Sequence, residues 1–166
     1  YWTKMQSWLE GTFITLIESI EQQILYKVHN DFNVLFKKWF EMLIKEDNLL
    51  VDLDTEFTPL LEQNGHIIEY GYLSGGEKTA IALAYRLALN EVVNQLMSVI
   101  KTKDLLILDE PTDGFSDPQI ERIRDILKEI NIHQVIIVSH EKKIESFVDH
   151  VIAIKKDDHV SRVFLP

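Results

Sequence analysis

Cysteine is absent from this chain, which excludes a disulfide framework and thiolate ligation of zinc within it. Long hydrophobic runs are absent too. No stretch of eighteen or more apolar residues occurs and no leader pattern is visible, so the expectation is a chain with no membrane-spanning helix. Basic residues are few, 17 Lys and Arg against 27 Asp and Glu, for a net charge of -10. That balance excludes a chain-wide nucleic-acid surface, since phosphate binding relies on clustered cations. DNA contact, if present, is restricted to a local patch, for which the candidates are Lys37 with Lys38, Lys142 with Lys143, and Lys155 with Lys156. Each pair has the plainer reading of a solvated face. Also missing is GxxxxGK[ST], the loop that holds β and γ phosphates. What remains is ordinary for a globular domain with a real core: 46% hydrophobic and 27% charged residues over 166 positions.

Two short strings between Tyr72 and Pro118 organise the rest. The first is LSGGE, Leu73 to Glu77. Ser74 followed three residues later by Glu77, ahead of an apolar-periodic segment, is a capping box, which predicts a helix beginning at Ser74. The unpaired amides of its first turn and the positive end of its dipole form an anion site. Gly75 and Gly76 carry no Cβ, so a phosphate can approach the backbone, with the Ser74 hydroxyl as a further donor. Residues 74 to 77 are therefore the candidate nucleotide-binding segment; an ordinary helix cap with two glycines is the alternative.

The second string is LLILDEPT, Leu105 to Thr112. Its apolar run predicts a parallel strand covered on both faces, ending in Asp109 and Glu110, where α/β sheets collect their ligand chemistry. Neighbouring strand residues point to opposite faces, so the two acids have different tasks. Asp109 is the candidate Mg²⁺ ligand, acting through the ion's water shell. Glu110 is the candidate base for an attacking water.

At these residues the chain resembles the ABC-type ATPases, with LSGGE as signature motif and LLILDEPT as Walker B strand. The longer string LSGGEKTAIALAYRLA is similar to the branch whose heads sit on long coiled coils: the SMC proteins and the SbcC-type subunit of the MRN break-repair complex. Glu-Pro-Thr after Asp109 favours the break-repair branch over SMC proteins, which remain the alternative. Glu77 and Lys78 disfavour transporter ATPases. The resemblance implies an α/β fold, the C-terminal lobe of an ABC-type head with a mostly parallel sheet flanked by helices, preceded by a coiled-coil base helix. It divides the chain at 46/47. It implies ATP and Mg²⁺ as cofactors and a P-loop supplied by an N-terminal segment of the same protein beyond a long coil, with Tyr1 near the end of the returning strand. It implies an ATP-dependent homodimer in which Ser74 and Gly76 meet the other copy's ATP while Asp109, Glu110 and His140 serve their own. Its further partners would be a nuclease at the coil base and double-stranded DNA. Its location would be intracellular: cytoplasm or nucleoid in a prokaryote, nucleus in a eukaryote.

Along the chain, apolar residues from Trp2 to Leu43 recur with a mean spacing of about 3.7, the period of a straight helix rather than a strict heptad. Gly11 and the polar cluster His29 to Asn33 are the places where this helix is expected to break or bend. Trp2, Trp8, Phe13 and Ile17 offer an apolar surface, for a partner helix or for the opposing coil strand. Leu49 to Thr58 alternates as a half-buried strand, and Asn64-Gly65 marks a hairpin turn. In the signature helix, Ala80, Ile81, Ala84, Leu87, Ala88, Val92 and Leu96 are the expected buried positions, while Lys78 and Arg86 read as solvated. After Walker B, the resemblance places a D-loop that reaches across the dimer. Its usual Leu-Asp is here Phe115-Ser116, with Asp117 one position later, so Ser116 or Asp117 would take the trans contact. Asp117 also reads as an N-cap with Pro118 at the first helical position. That helix is expected to bury Ile120, Ile123, Leu127 and Ile130. A second buried strand, Val135 to Val138, leads to Ser139 and His140, and the resemblance makes His140 the switch histidine that senses the γ-phosphate. Val151 to Ile154 and Val160 to Leu165 read as a closing hairpin.

Overall fold

The computed structural model describes residues 2–45, 48–96, 105–130, 132–157 and 160–164. The chain begins as a continuous run of helix. Helix α1 (Trp2–Trp8) passes through a π-helical stretch (Leu9–Phe13) into α2 (Ile14–Leu43). Gly11 thus sits in a widened turn instead of a break. His29 to Asn33 does not interrupt α2, because its polar groups are used laterally. His29 Nε2 donates to the Asp54 carbonyl at 2.6 Å, and Asn33 Nδ2 to Asp52 Oδ1 at 2.7 Å.

The apolar stripe of this helix divides in two. Phe32, Phe36, Trp39, Phe40 and Leu43 are buried, whereas Trp2, Met5, Leu9, Phe13, Leu16, Ile20 and Ile24 on the same stripe are exposed. At about 1.5 Å per residue, the uncovered part projects roughly 40 Å from the globular portion.

A three-stranded antiparallel sheet follows, β1 (Leu49–Leu53), β2 (Pro59–Gln63) and β3 (His66–Ile68). The buried face of β1 is Leu49, Val51 and Leu53, as the alternation predicts. The strand stops at Leu53 and does not continue to Thr58. The Asp54 carboxylate accepts from the amides of Glu56 and Thr58, each at 2.8 Å, and turns the chain. The Thr58 amide is the main reason that this carboxyl is held below the usual range. The expected turn at Asn64 and Gly65 is present, with φ of 52° and 81°, the doubly left-handed geometry that Asn-Gly favours.

The signature helix α3 (Gly75–Leu96) lies against α2. Ala80, Ala84 and Ala88 are fully buried, and their small side chains admit the aromatics of α2. Phe32 and Phe36 meet Tyr85 edge-on at 4.7 and 5.8 Å. Leu83 is buried in addition to the expected set, while Leu96 is exposed.

Next come β4 (Leu105–Asp109), α4 (Asp117–Glu129) and β5 (Gln134–Val138), then β6 (Ala153–Asp157) and β7 (Val160–Phe164) as an antiparallel pair. The combination of sheet and helices behind a leading helix is as expected, but the sheet is not mostly parallel: among the described strands only β4 and β5 pair in parallel, as a two-stranded sheet of their own, because the others are joined to their neighbours by short hairpin connections. Neither β4 nor β5 is covered on both faces. Leu106 and Leu108 join the core, but Ile107 is 60%, Ile136 42% and Val138 52% exposed, because no described element lies over that side. Helix α4 buries Ile120, Ile123 and Ile126, with Leu127 and Ile130 only partly covered. Its Arg122 donates to the Leu43 carbonyl at 2.8 Å and so ties off the end of α2. The expected boundary at 46/47, the β6–β7 tip and Leu165 lie outside the described residues.

Three of the six lysines considered as DNA patches are paired with carboxylates: Lys37 with Asp52, Lys38 with Glu129, and Lys143 with Asp117. These positions behave as neutralised surface. No helix among the described residues is long and apolar enough to cross a membrane.

Candidate nucleotide site

The parallel register Asp109↔Val138 brings the carboxyl ends of β4 and β5 level. Glu110 extends the ladder by one bond, its amide donating to the Val138 carbonyl at 2.9 Å. The residues just beyond each strand then meet. His140 Nδ1 donates to Glu110 Oε2 at 2.9 Å, so the two expected catalytic residues form one unit. Glu110 adopts φ 44°, the left-handed region that costs a non-glycine residue about 1–3 kcal/mol and that clusters at functional sites. The twist aims its side chain at His140 instead of continuing the pleat.

The Glu110 hydrogen bond, then its charge, raises the His140 imidazole above its ordinary value, with Glu141 and Asp113 adding to the effect. A raised value means that the ion pair is complete below the ordinary imidazole value and is lost as pH rises through the higher one. Replacing Glu110 by Gln should therefore move the His140 titration down toward the ordinary value, as read from its imidazole NMR shifts. An unmoved midpoint would contradict the pairing.

At the other string the capping box forms as predicted. The Ser74 amide donates to Glu77 Oε2 at 2.6 Å, and the Glu77 amide to Ser74 Oγ at 3.3 Å. The amides of Gly75 and Gly76 are left as first-turn donors of a 22-residue helix. The two glycines serve different ends. A Cβ on Gly75 would meet nothing within 4 Å, which leaves that amide open to a phosphate. A Cβ on Gly76 would fall 2.9 Å from the Gly114 carbonyl oxygen and 3.3 Å from Gln119 Oε1. Gly114 in turn has φ 75° and lies against the Gly75 and Gly76 backbone. The signature loop is thus seated on the loop that follows Walker B. Gly76→Ala should cost about 1–3 kcal/mol through overpacking. Gly75→Ala should be neutral, or stabilise by up to about 1 kcal/mol through helix propensity. Urea denaturation of both variants checks the order, and equal stabilities would contradict this seating.

Asp109 is exposed at the end of β4. No group of three or more metal-binding side chains exists among the described residues, so these residues offer a cation one or two carboxylates. That fits Mg²⁺, which keeps much of its water and takes one or two carboxylates plus substrate oxygens.

The D-loop candidates are both engaged within the chain. Ser116, not Asp117, is the N-cap of α4, and its amide and hydroxyl each donate to Gln119 Oε1 at 2.9 Å. Asp117 is the first helical residue, paired with Lys143, and favourable there next to the dipole. Lys78 Nζ donates to the Gly71 carbonyl at 3.2 Å, while Arg86 is exposed. Sequence reasoning missed Gly114 and Gln119, and read Lys143 as a patch residue instead of the partner of Asp117. Only the Asp113-Gly114 dipeptide, a turn signal, pointed to one of them.

No family model matches the sequence. Curated relatives do. The chain is 31% identical over 146 residues to the DNA double-strand break repair Rad50 ATPase of Pyrococcus abyssi, covering 86% of this chain and 16% of that protein. It is 43% identical over 98 residues to that of Archaeoglobus fulgidus, covering 57% and 10%. The match to the Methanocaldococcus jannaschii protein is 28% over 159 residues, covering 95% and 14%. The chain thus spans less than a fifth of the length of these relatives. Among solved structures, the Smc head domain with coiled coil and joint from Pyrococcus yayanosii superposes with a TM-score of 0.74 at 20% identity, covering 98% of this chain and 31% of that one. The Smc head of Pyrococcus furiosus bound to the C-terminal domain of ScpA gives 0.72 at 20% identity, covering 98% and 42%.

Proposed function

The chain is a Rad50-like sequence of the ABC ATPase class, and from that premise we propose that it supplies half of the ATP machinery of a DNA double-strand-break repair ATPase. Each copy would offer Ser74, Gly75 and Gly76 to the triphosphate held by a second copy. Asp109 would hold Mg²⁺ through its waters, Glu110 would accept the proton of the attacking water, and His140 would orient Glu110 and the γ-phosphate oxygens. When bound, the metal would offset phosphate charge. Sandwiching ATP would join two heads and hydrolysis would release them, gating DNA access and a partner nuclease. An N-terminal segment of the same protein would bring the P-loop. Of the two apolar regions, the exposed stripe of α1 and α2 suits the opposing coil strand and, at Trp2, Trp8, Phe13 and Ile17, a helix of the nuclease.

The observation that carries this reading is the Glu110–His140 hydrogen bond at the level ends of two parallel strands, with the metal candidate Asp109 one residue away. Neutral capping or packing roles explain neither that pair nor the left-handed Glu110. Co-expression with the P-loop segment tests the reading. Mg²⁺ and ATP should then produce a dimer in light scattering and hydrolysis stimulated by double-stranded DNA. A co-expressed head that stays monomeric and inactive with ATP would refute it.

A further inference from the structure

We propose that Thr112 and Ser139 are positioning residues whose hydroxyl pair sets the place of His140 against Glu110. The inference rests on the reading of Glu110 and His140 as the hydrolytic pair and adds two residues that act on that pair through their hydrogen bonds to each other and to the backbone. Thr112 is the only buried polar or charged residue among the described ones, at 2% exposure. A buried hydroxyl is tolerated where it has a partner, and here the partner is Ser139, Oγ1 to Oγ at 3.4 Å. Ser139 Oγ also accepts from the Glu141 amide at 3.2 Å. The serine hydroxyl therefore clamps the backbone on both sides of His140 and attaches that segment to Thr112, two residues beyond Glu110.

This clamp matters because, among the described residues, few polar contacts hold the His140 ring. The side chain is 69% exposed, and its ring contacts are Glu110 and, at 3.9 Å, Glu141. Its orientation is consequently inherited from the backbone. Two further ties join the same loops, the Glu110 amide to the Val138 carbonyl on the strand side and Lys143 to Asp117 on the outer side. The hydroxyl pair lies between them. Valine has the shape of threonine but neither donates nor accepts, so it keeps the packing and removes the tie.

A double-mutant cycle on the complete protein, with its P-loop segment, tests this through steady-state ATP hydrolysis. Thr112→Val and Ser139→Ala should each lower kcat about tenfold with KM for ATP changed less than about twofold, since a small misplacement of a reacting group costs turnover more than binding. Thr112→Ser should restore kcat. In a His140→Ala background, Thr112→Val should change kcat by less than about twofold, because the residue that it positions is gone. The same loss in both backgrounds, or wild-type turnover in Thr112→Val, would overturn the proposal. If Thr112→Val does not fold, as judged by circular dichroism, Ser139→Ala carries the same cycle. His140→Ala with wild-type turnover would refute the underlying reading as well; a slow His140→Ala with an independent Thr112 effect would refute this inference alone.

Discussion

Glu110→Gln is expected to bind ATP normally, form the head dimer and fail to leave it. The amide keeps the size and one hydrogen-bonding oxygen of the acid but cannot accept the water's proton. Loss of a general base lowers turnover roughly 10²–10⁴-fold. The His140 contact at 2.9 Å changes from a charge-assisted bond to a neutral one, which weakens it without emptying the space. Because dimer release would follow hydrolysis, slow turnover should appear as a persistent dimer. Steady-state ATPase assays with size-exclusion chromatography in Mg²⁺ and ATP read both effects. Normal turnover in this variant would remove Glu110 from the base role.

Ser74→Arg should have the opposite signature. Nucleotide binding to each head stays intact, while ATP-dependent dimerisation is abolished. Ser74 is exposed and stands beside the open face of Gly75, so a long side chain fills the space that the partner's phosphate needs. The substitution also removes the serine half of the capping box, worth about 1 kcal/mol of helix stability. Ser74→Ala separates the two effects, because it loses the cap without adding bulk. Light scattering with ATP should show Ser74→Ala dimerising far better than Ser74→Arg. Equal behaviour of the two would assign the defect to the cap and argue against a lid role.

The strings that carry chemistry were legible because their local physics is self-contained. Ser74 and Glu77 cap each other within one turn, and the Asn64-Gly65 turn needs only its own dihedrals, so both formed as read. The end of β1 was less legible, since Leu49 to Thr58 continues the alternating pattern while Asp54 folds back on its own amides. The N-cap moved from Asp117 to Ser116 because Gln119 lies three residues after the serine and supplies the reciprocal acceptor. Covered strands were expected from the apolar runs at β4 and β5, yet Ile107 and Ile136 are exposed. Apolar composition records that a face is to be covered, but not by which chain. The seating of Gly76 on Gly114 is a contact between segments 38 positions apart, and no local pattern announces it. Helix α2 illustrates the same limit, as one unbroken stripe holds both core residues and an uncovered projection.

The most direct test of a shared site mixes two defective heads. Complete protein carrying Ser74→Arg is combined with complete protein carrying Glu110→Gln, each inactive alone, and ATP hydrolysis of the mixture is measured. If the signature loop serves the other copy's nucleotide, a mixed dimer has one site in which both Ser74 and Glu110 are intact, and hydrolysis should rise well above the sum of the two parents. If both residues act on the same copy's nucleotide, every site in the mixture keeps a defect, and activity that never exceeds that sum would contradict the account.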